Sequence, residues 1–442
     1  MPQIRPHWPL AAILSLGIAL SAGPVGAQKV ETLLTEMLAA HPDIAAARED
    51  VGAAAQNLNR VEARFLPTLT ARGDYGYNRV DNRTRTTVNG GPSDQPTELG
   101  SLTLSETLFN GFRTPAERDQ AEAQLDERRL ALKETRQRLM LDGISAYLNV
   151  LQQHELLEIA ERNESRIREQ LEIEDERVRR GSGLTVDVLQ AKTRLQIAKE
   201  QRVATEGRLR NAEAAFVRLF ARAPDQPKMQ APLYPARLMP GSLDEALETA
   251  QAINVRLQRS LAGLRAVDQQ QRIADSGFFP NVNLVAEGEY EDDETGLRKE
   301  LFVGVRTNWE LFSGFGTRAA SRQATRQKAA ARQRHDSTVR TVRESVTTAW
   351  EALQTSRERT GLLENATTIA FELFQARRKL RDLARESVIN VLDAEREYNT
   401  ALSRQTAARF DTLGAAYRLL FSIGRLTADN LKVALPPEAP AE

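Results

Sequence analysis

Histidine and cysteine carry much of protein metal and nucleophile chemistry, and this sequence offers little of either. It contains no cysteine and four histidines. His7 lies in the N-terminal leader, while His41, His154 and His335 are scattered without metal-ligand spacing. No carboxylate pair, Ser/His/Asp set or phosphate loop stands in a context that would make it catalytic; Gly288 and Gly314 fall in a strand and a junction, not in a phosphate cradle. The sequence therefore predicts neither an enzyme nor a cofactor or structural metal. Lys plus Arg equals Asp plus Glu at 60 each. No net field draws the chain onto nucleic acid or acidic lipid.

What remains informative is how the elements are laid out. Residues 1–27 combine Arg5, an apolar stretch from Leu10 to Leu20 and the small-residue ending Val25-Gly26-Ala27, the pattern of a cleavable secretory signal with the mature chain starting at Gln28. The alternative, a membrane anchor, needs roughly 20 apolar residues and finds about half that number. An exported chain without cysteine depends on packing or oligomerisation for stability, and it has no lipid-anchor cysteine.

An internal repeat organises the rest. Arg64-Phe65-Leu66-Pro67 matches Gly277-Phe278-Phe279-Pro280; LFNGF at 108–112 matches LFSGF at 311–315; Val188-Leu189-Gln190-Ala191 matches Val391-Leu392-Asp393-Ala394. Two copies of one unit, 28–225 and 242–426, flank a proline-rich linker at 226–241, and 427–442 forms a tail. In each unit the hydrophobic period switches to two, predicting strands at about 68–78, 101–109, 281–291 and 301–312. Leu69, Ala71, Gly73, Tyr75 and Tyr77 oppose Thr68, Thr70, Arg72 and Asp74. Each strand suits a tilted membrane strand, with Tyr75, Tyr77, Tyr290 and Trp309 at candidate interfaces; a soluble sheet with one wet face is the alternative. Four strands cannot close a barrel alone, so subunits must pool them, twelve from three chains or eight from two. The polar loops at 79–100 and 292–299 are expected outside the cell.

No proline interrupts 116–223 or 281–435, which predicts helices of unusual length joined at tips near 180–185 and 383–388. The return helix repeats every seven residues, with Val188, Leu195, Leu209 and Phe216 on one seam, which Arg202 interrupts, and Ala191, Ala198, Thr205, Ala212 and Leu219 on the next. Ala394, Ala401, Ala408 and Ala415 repeat the small stripe. This spacing predicts antiparallel coiled-coil packing. The first tip, RGSGLT, turns on glycines. The second, LARESV, has none and is expected to be tighter or more helical.

Two strands, a descending helix, a tip and an ascending helix, duplicated behind a signal, resemble the TolC family of outer-membrane efflux and secretion channels over the whole mature chain. LFNGF, LFSGF, RRGSGLTVDVLQA, ARESVINVLDAERE and the pair His41-Pro42 carry that resemblance. It implies a mixed α and β fold in which four strands per chain contribute to a twelve-stranded trimeric β-barrel, continued by an α-helical barrel across the periplasm of a Gram-negative bacterium. It also implies a homotrimer that docks on a periplasmic adaptor and an inner-membrane pump of ABC, RND or MFS type, exporting small molecules or proteins. By the same resemblance Gly181, Ser182, Gly183 and Leu184 match the adaptor-docking turn, with Arg385 and Ser387 at the second tip. Asp187 and Asp393 match acidic pore residues. Asn390 stands where aspartate is common and Glu386 where an arginine can latch the gate, leaving Arg381 and Arg385 as substitutes. A periplasmic coiled-coil adaptor without a barrel is the competing expectation.

Overall fold

The computed structural model describes residues 29–80, 93–293, 296–383 and 385–434. The leader, much of the first strand-to-strand loop and the end of the tail lie outside the described residues. The chain begins with α1 (Val30–Ala40) and α2 (Pro42–Glu62), then the strands β1 (Thr68–Val80) and β2 (Ser93–Phe109). α3 (Arg113–Arg179) and α4 (Thr185–Phe220) form the first long hairpin. The second repeat follows as α5 (Leu243–Ile253), α6 (Val255–Asp275), β3 (Asn281–Asp293), β4 (Gly296–Asn308), α7 (Gly316–Asp382) and α8 (Val388–Ile423). At 67 residues each, α3 and α7 are about 100 Å long at ~1.5 Å per residue.

The four strands make one antiparallel sheet in the order β1-β2-β3-β4, which leaves an edge of β1 and an edge of β4 without a partner among the described residues. Register turns the period-two pattern into one continuous apolar face. Leu69, Leu104, Ala286 and Val303 line up across the sheet, as do Ala71, Leu102, Gly288 and Leu301. The opposite face is polar and ion-paired: Arg306 lies 3.0 Å from Glu287, and Arg298 lies 2.9 Å from Glu289.

Three strands, β2, β3 and β4, differ from the sequence-based bounds. β2 starts at Ser93, so part of the expected external loop is strand, and Pro96 falls inside it. Proline is tolerated there because β3 joins β2 only from Glu98, leaving one side of Pro96 without a ladder to satisfy. β3 and β4 likewise extend to Asp293 and from Gly296, shortening the second expected loop. β4 ends at Asn308 and not near 312; Trp309 instead donates its indole N–H to the Phe278 carbonyl at 3.2 Å.

Each strand-to-helix junction places two consecutive residues in the left-handed region, Gly111 and Phe112 at φ 67° and 64°, Gly314 and Phe315 at 61° and 68°. A Cβ at Gly111 would come within 2.6 Å of the Ser276 carbonyl, so only glycine fits. A non-glycine residue in this region costs roughly 1–2 kcal/mol. Edge-to-face stacking of Phe112 on Phe109 and of Phe315 on Phe312 offsets part of that strain. The principal core lies midway down the helices. Tyr147, Phe216, Leu419 and Leu420 are buried there, and the Tyr147 hydroxyl donates to the Gln230 carbonyl at 2.9 Å, pinning the proline-rich crossing.

Candidate functional site

The two helix tips lie at the end of the molecule opposite the sheet. At the first, α3 closes with Gly181 N–H donating to Val178 and Ser182 N–H to Arg177, at 3.0 and 2.9 Å. Gly181 has φ 77°, and a Cβ at Gly183 would lie 2.9 Å from the Val178 nitrogen, so both glycines are required by backbone geometry. Ser182 Oγ donates to the Arg177 carbonyl at 3.2 Å, and Leu184 is exposed beside it.

The second tip is not tighter. Leu383–Ser387 separates its helices with as many residues as Arg180–Leu184. Arg385 N–H donates to Leu380 at 2.8 Å, repeating the Ser182 bond. Side chains do what glycine does in the first copy. Ser387 Oγ accepts from Asn390 N–H at 3.4 Å, and the Glu386 carboxylate accepts from Asn390 Nδ2 at 2.6 Å and from Ser387 N–H at 3.0 Å. These bonds, with Arg377 3.7 Å away, hold the Glu386 carboxyl below its ordinary pKa. Glu386 and Asn390 therefore build the turn itself.

The acidic residues have different surroundings. Asp187 is half-buried in the first turn of α4 and has no ion-pair partner among the described residues, although its charge suits a helix N-terminus. Asp393 lies 2.7 Å from Arg194 on α4 and 3.6 Å from Arg396. Within the chain neither Arg381 nor Arg385 reaches Asp187 or Asp393. Arg385 is exposed, and its side chain has no partner among the described residues.

Arg381 is held elsewhere. Its guanidinium donates to both carboxylate oxygens of Glu174 on α3, at 3.0 and 2.8 Å, and to the Glu386 carbonyl at 3.2 Å. The Glu174 side chain is 1% exposed and also accepts from Arg177 at 3.0 Å and Gln170 at 2.8 Å. A buried carboxylate thus ties the end of the second hairpin to the first. Higher up, Arg166 on α3 lies 2.8 Å from Glu395 on α8 and donates to Asn399 at 2.6 Å. Burial pushes the Glu395 carboxyl up, and Arg166 opposes that rise. Arg202, which breaks the seam of α4, pairs with Glu164 at 2.8 Å. A cleft of about 470 Å³ between α3, α4 and α8 is lined by Arg194, Arg208, Arg404, Glu395 and Asn399.

Sequence reasoning passed over Glu174, Arg166, Glu395 and Asn399. A signal was present: Ile167, Leu171, Glu174 and Val178 are spaced as a seam, so Glu174 occupies an apolar position, as do Glu395 and Asn399 after Leu392. A charge on a packed seam implies a partner on the facing helix.

The family model described as outer membrane efflux protein matches residues 33–222 and 246–425. The outer membrane efflux protein BepC of Brucella suis biovar 1 is 24% identical over 441 residues, covering 98% of this chain and 93% of that protein. The alkaline protease secretion protein AprF of Pseudomonas aeruginosa is 26% identical over 413 residues, covering 89% and 83%. Among solved structures, the Campylobacter jejuni CmeC outer membrane channel superimposes with a TM-score of 0.79 at 14% identity, over 98% of this chain and 97% of that one. With both repeats matched, the chain belongs to the outer membrane efflux protein family.

Proposed function

We propose that three copies close their sheets edge to edge into a twelve-stranded barrel in the outer membrane. Their helices then form a tube across the periplasm, the exit duct for cargo delivered by a periplasmic adaptor and an inner-membrane pump of ABC, RND or MFS type. One observation carries this reading: a continuous apolar face spans all four strands while the β1 and β4 edges lack partners among the described residues. In hydrocarbon each unsatisfied backbone group costs several kcal/mol, so such edges require pairing. β1 and β4 run in opposite senses, and β4 of one copy against β1 of the next continues the antiparallel order around a ring.

Residues 1–27 direct export and are removed. The tips at Gly181–Leu184 and at Arg385 and Ser387 meet the adaptor. Asp187, whose carboxylate has no ion-pair partner among the described residues, supplies a ring of like charge at the narrow end; Asp393 is largely compensated by Arg194. Efflux and protease secretion both occur among the relatives' names, and the pump that crosslinks to this chain in cells identifies the cargo class. Cell fractionation tests the placement, with recovery in the outer membrane expected; recovery in the soluble periplasm contradicts it. In planar bilayers Asp187→Asn should lower cation preference more than Asp393→Asn does, and equal effects would remove Asp187 from its role.

A further inference from the structure

α3 packs between two helices of its own chain, α2 and α6. Its seam toward α6 runs through Gln120, Glu127 and Glu134, seven residues apart. Gln120 donates to Gln270 at 2.7 Å, and Arg259 lies 3.5 Å from Glu127 and 3.1 Å from Glu134. Asp126, beside this seam, lies 3.2 Å from Arg265.

α7 is the second repeat's copy of α3, with Gly314 corresponding to Gly111. It too has a seam toward its own α6. There Ser321 donates to Asp275 at 2.5 Å, Lys328 pairs with Asp268, and His335 lies 2.7 Å from Ser260. The counterpart of the Gln120-Glu127-Glu134 seam is Gln323-Ala330-Ser337, and all three residues are exposed. Arg326 and Arg334 flank it, exposed and without ion-pair partners among the described residues. From Gly316 to Arg343, α7 has eight basic residues and a single acidic one, Asp336.

α2 is the copy of α6, aligned by the strand starts Thr68 and Asn281. Ala262, fully buried on α6, corresponds to Glu49, and Gly263, whose added Cβ would lie 4.0 Å from Glu127, corresponds to Asp50. Both acids are exposed and lack ion-pair partners among the described residues. Sign and bulk are therefore exchanged between the two copies. Within the chain, acids on α3 meet arginines and small residues on α6. On the free faces, arginines flank small residues on α7, and the acids are on α2.

We propose, resting on the trimer reading, that the exposed α7 face from Ala319 to Arg340 seats α2 of a second copy, and that Arg326 and Arg334 against Glu49 and Asp50 select that helix. A second copy is the occupant because the free β4 edge lies above α7 and the free β1 edge above α2, so the pairing that closes the sheet brings these two faces together. The exchange also rejects wrong pairings. α6 carries Arg256, Arg259, Arg265 and Arg272 and would be repelled by the α7 face, while α2 would be repelled by the acids of the α3 seam.

The chain has no cysteine, so an engineered pair is unambiguous. Asn57→Cys with Gln323→Cys reproduces the Gln270–Gln120 position across the new seam. A short bis-maleimide should convert the outer-membrane protein into a covalent three-chain species, whereas each single variant should not crosslink. Within one chain the two positions lie under opposite edges of the sheet. Uncrosslinked chains from a sample that native mass spectrometry shows to be trimeric would overturn this seam while leaving the trimer; a native monomer would overturn both. As a second arm, Glu49→Arg with Asp50→Arg should lower trimer yield at least tenfold, and adding Arg326→Glu and Arg334→Glu should restore it. Absence of rescue would show that these charges do not select the helix.

Discussion

Replacing Arg381 with Met should release the second hairpin tip from the first. Arg381 supplies two of the four hydrogen bonds to the Glu174 carboxylate, and Arg177 and Gln170 supply the others from α3 itself. Methionine keeps much of the volume but leaves a carboxylate that is 1% exposed with only its local partners. Removing one member of a buried pair typically costs 3–5 kcal/mol, and the two remaining donors place this site at the low end, about 3 kcal/mol. At about 1.4 kcal/mol per tenfold, local opening of the tip becomes roughly 100-fold more frequent. Hydrogen exchange of the protein in detergent reads this directly in the last turns of α7 and the first of α8. Open-channel fraction in planar bilayers should rise in parallel. Arg385→Ser is the internal control, since the Arg385 side chain has no partner among the described residues of the chain. Exchange accelerated less than threefold in Arg381→Met, or more by Arg385→Ser than by Arg381→Met, would refute the reasoning.

Other perturbations probe separate parts of the account. Leu102→Lys places a charge on the apolar face between Ala71 and Gly288 and should cost about 2–4 kcal/mol in the bilayer, lowering the heat stability of the folded protein; Thr103→Lys on the polar face should be far milder, and equal losses would mean the faces are misassigned. The Glu395 carboxyl is raised above 4.5 by burial, so its contribution to stability is present at low pH and is lost as pH rises through that raised value. Glu395→Gln should flatten that part of the melting-temperature profile, and an unchanged slope would count against the burial argument. Gly183→Ala drives a Cβ to 2.9 Å from backbone and should cost roughly 1–3 kcal/mol at the first tip, weakening adaptor crosslinking; wild-type crosslinking would exclude this turn as the contact.

The architecture was legible because its signals are local and duplicated. Period-two residues such as Leu69, Ala71 and Gly73, proline-free helices, and the paired LFNGF and LFSGF junctions each state their element. The seam residues of α4 read from spacing are buried in the structure, from Val188 through Leu219. The glycine-free tip misled because glycine is only one way to close a turn; Glu386 and Asn390 close it with side-chain bonds that depend on geometry not visible in composition. The Glu174–Arg381 tie was harder still, since its members are 207 residues apart. Asp393 has the residue type of a pore acid, but its carboxylate is paired with Arg194, a partner that no local pattern identifies.

The central claim is that three chains pool their strands to make one transmembrane pore. Native mass spectrometry of the protein extracted from outer membranes into detergent tests it most directly. The account predicts a single species of three mature chains that stays folded on dilution, because the β1 and β4 edges are paired between copies. A folded monomer, stable in detergent with those edges open, would contradict it.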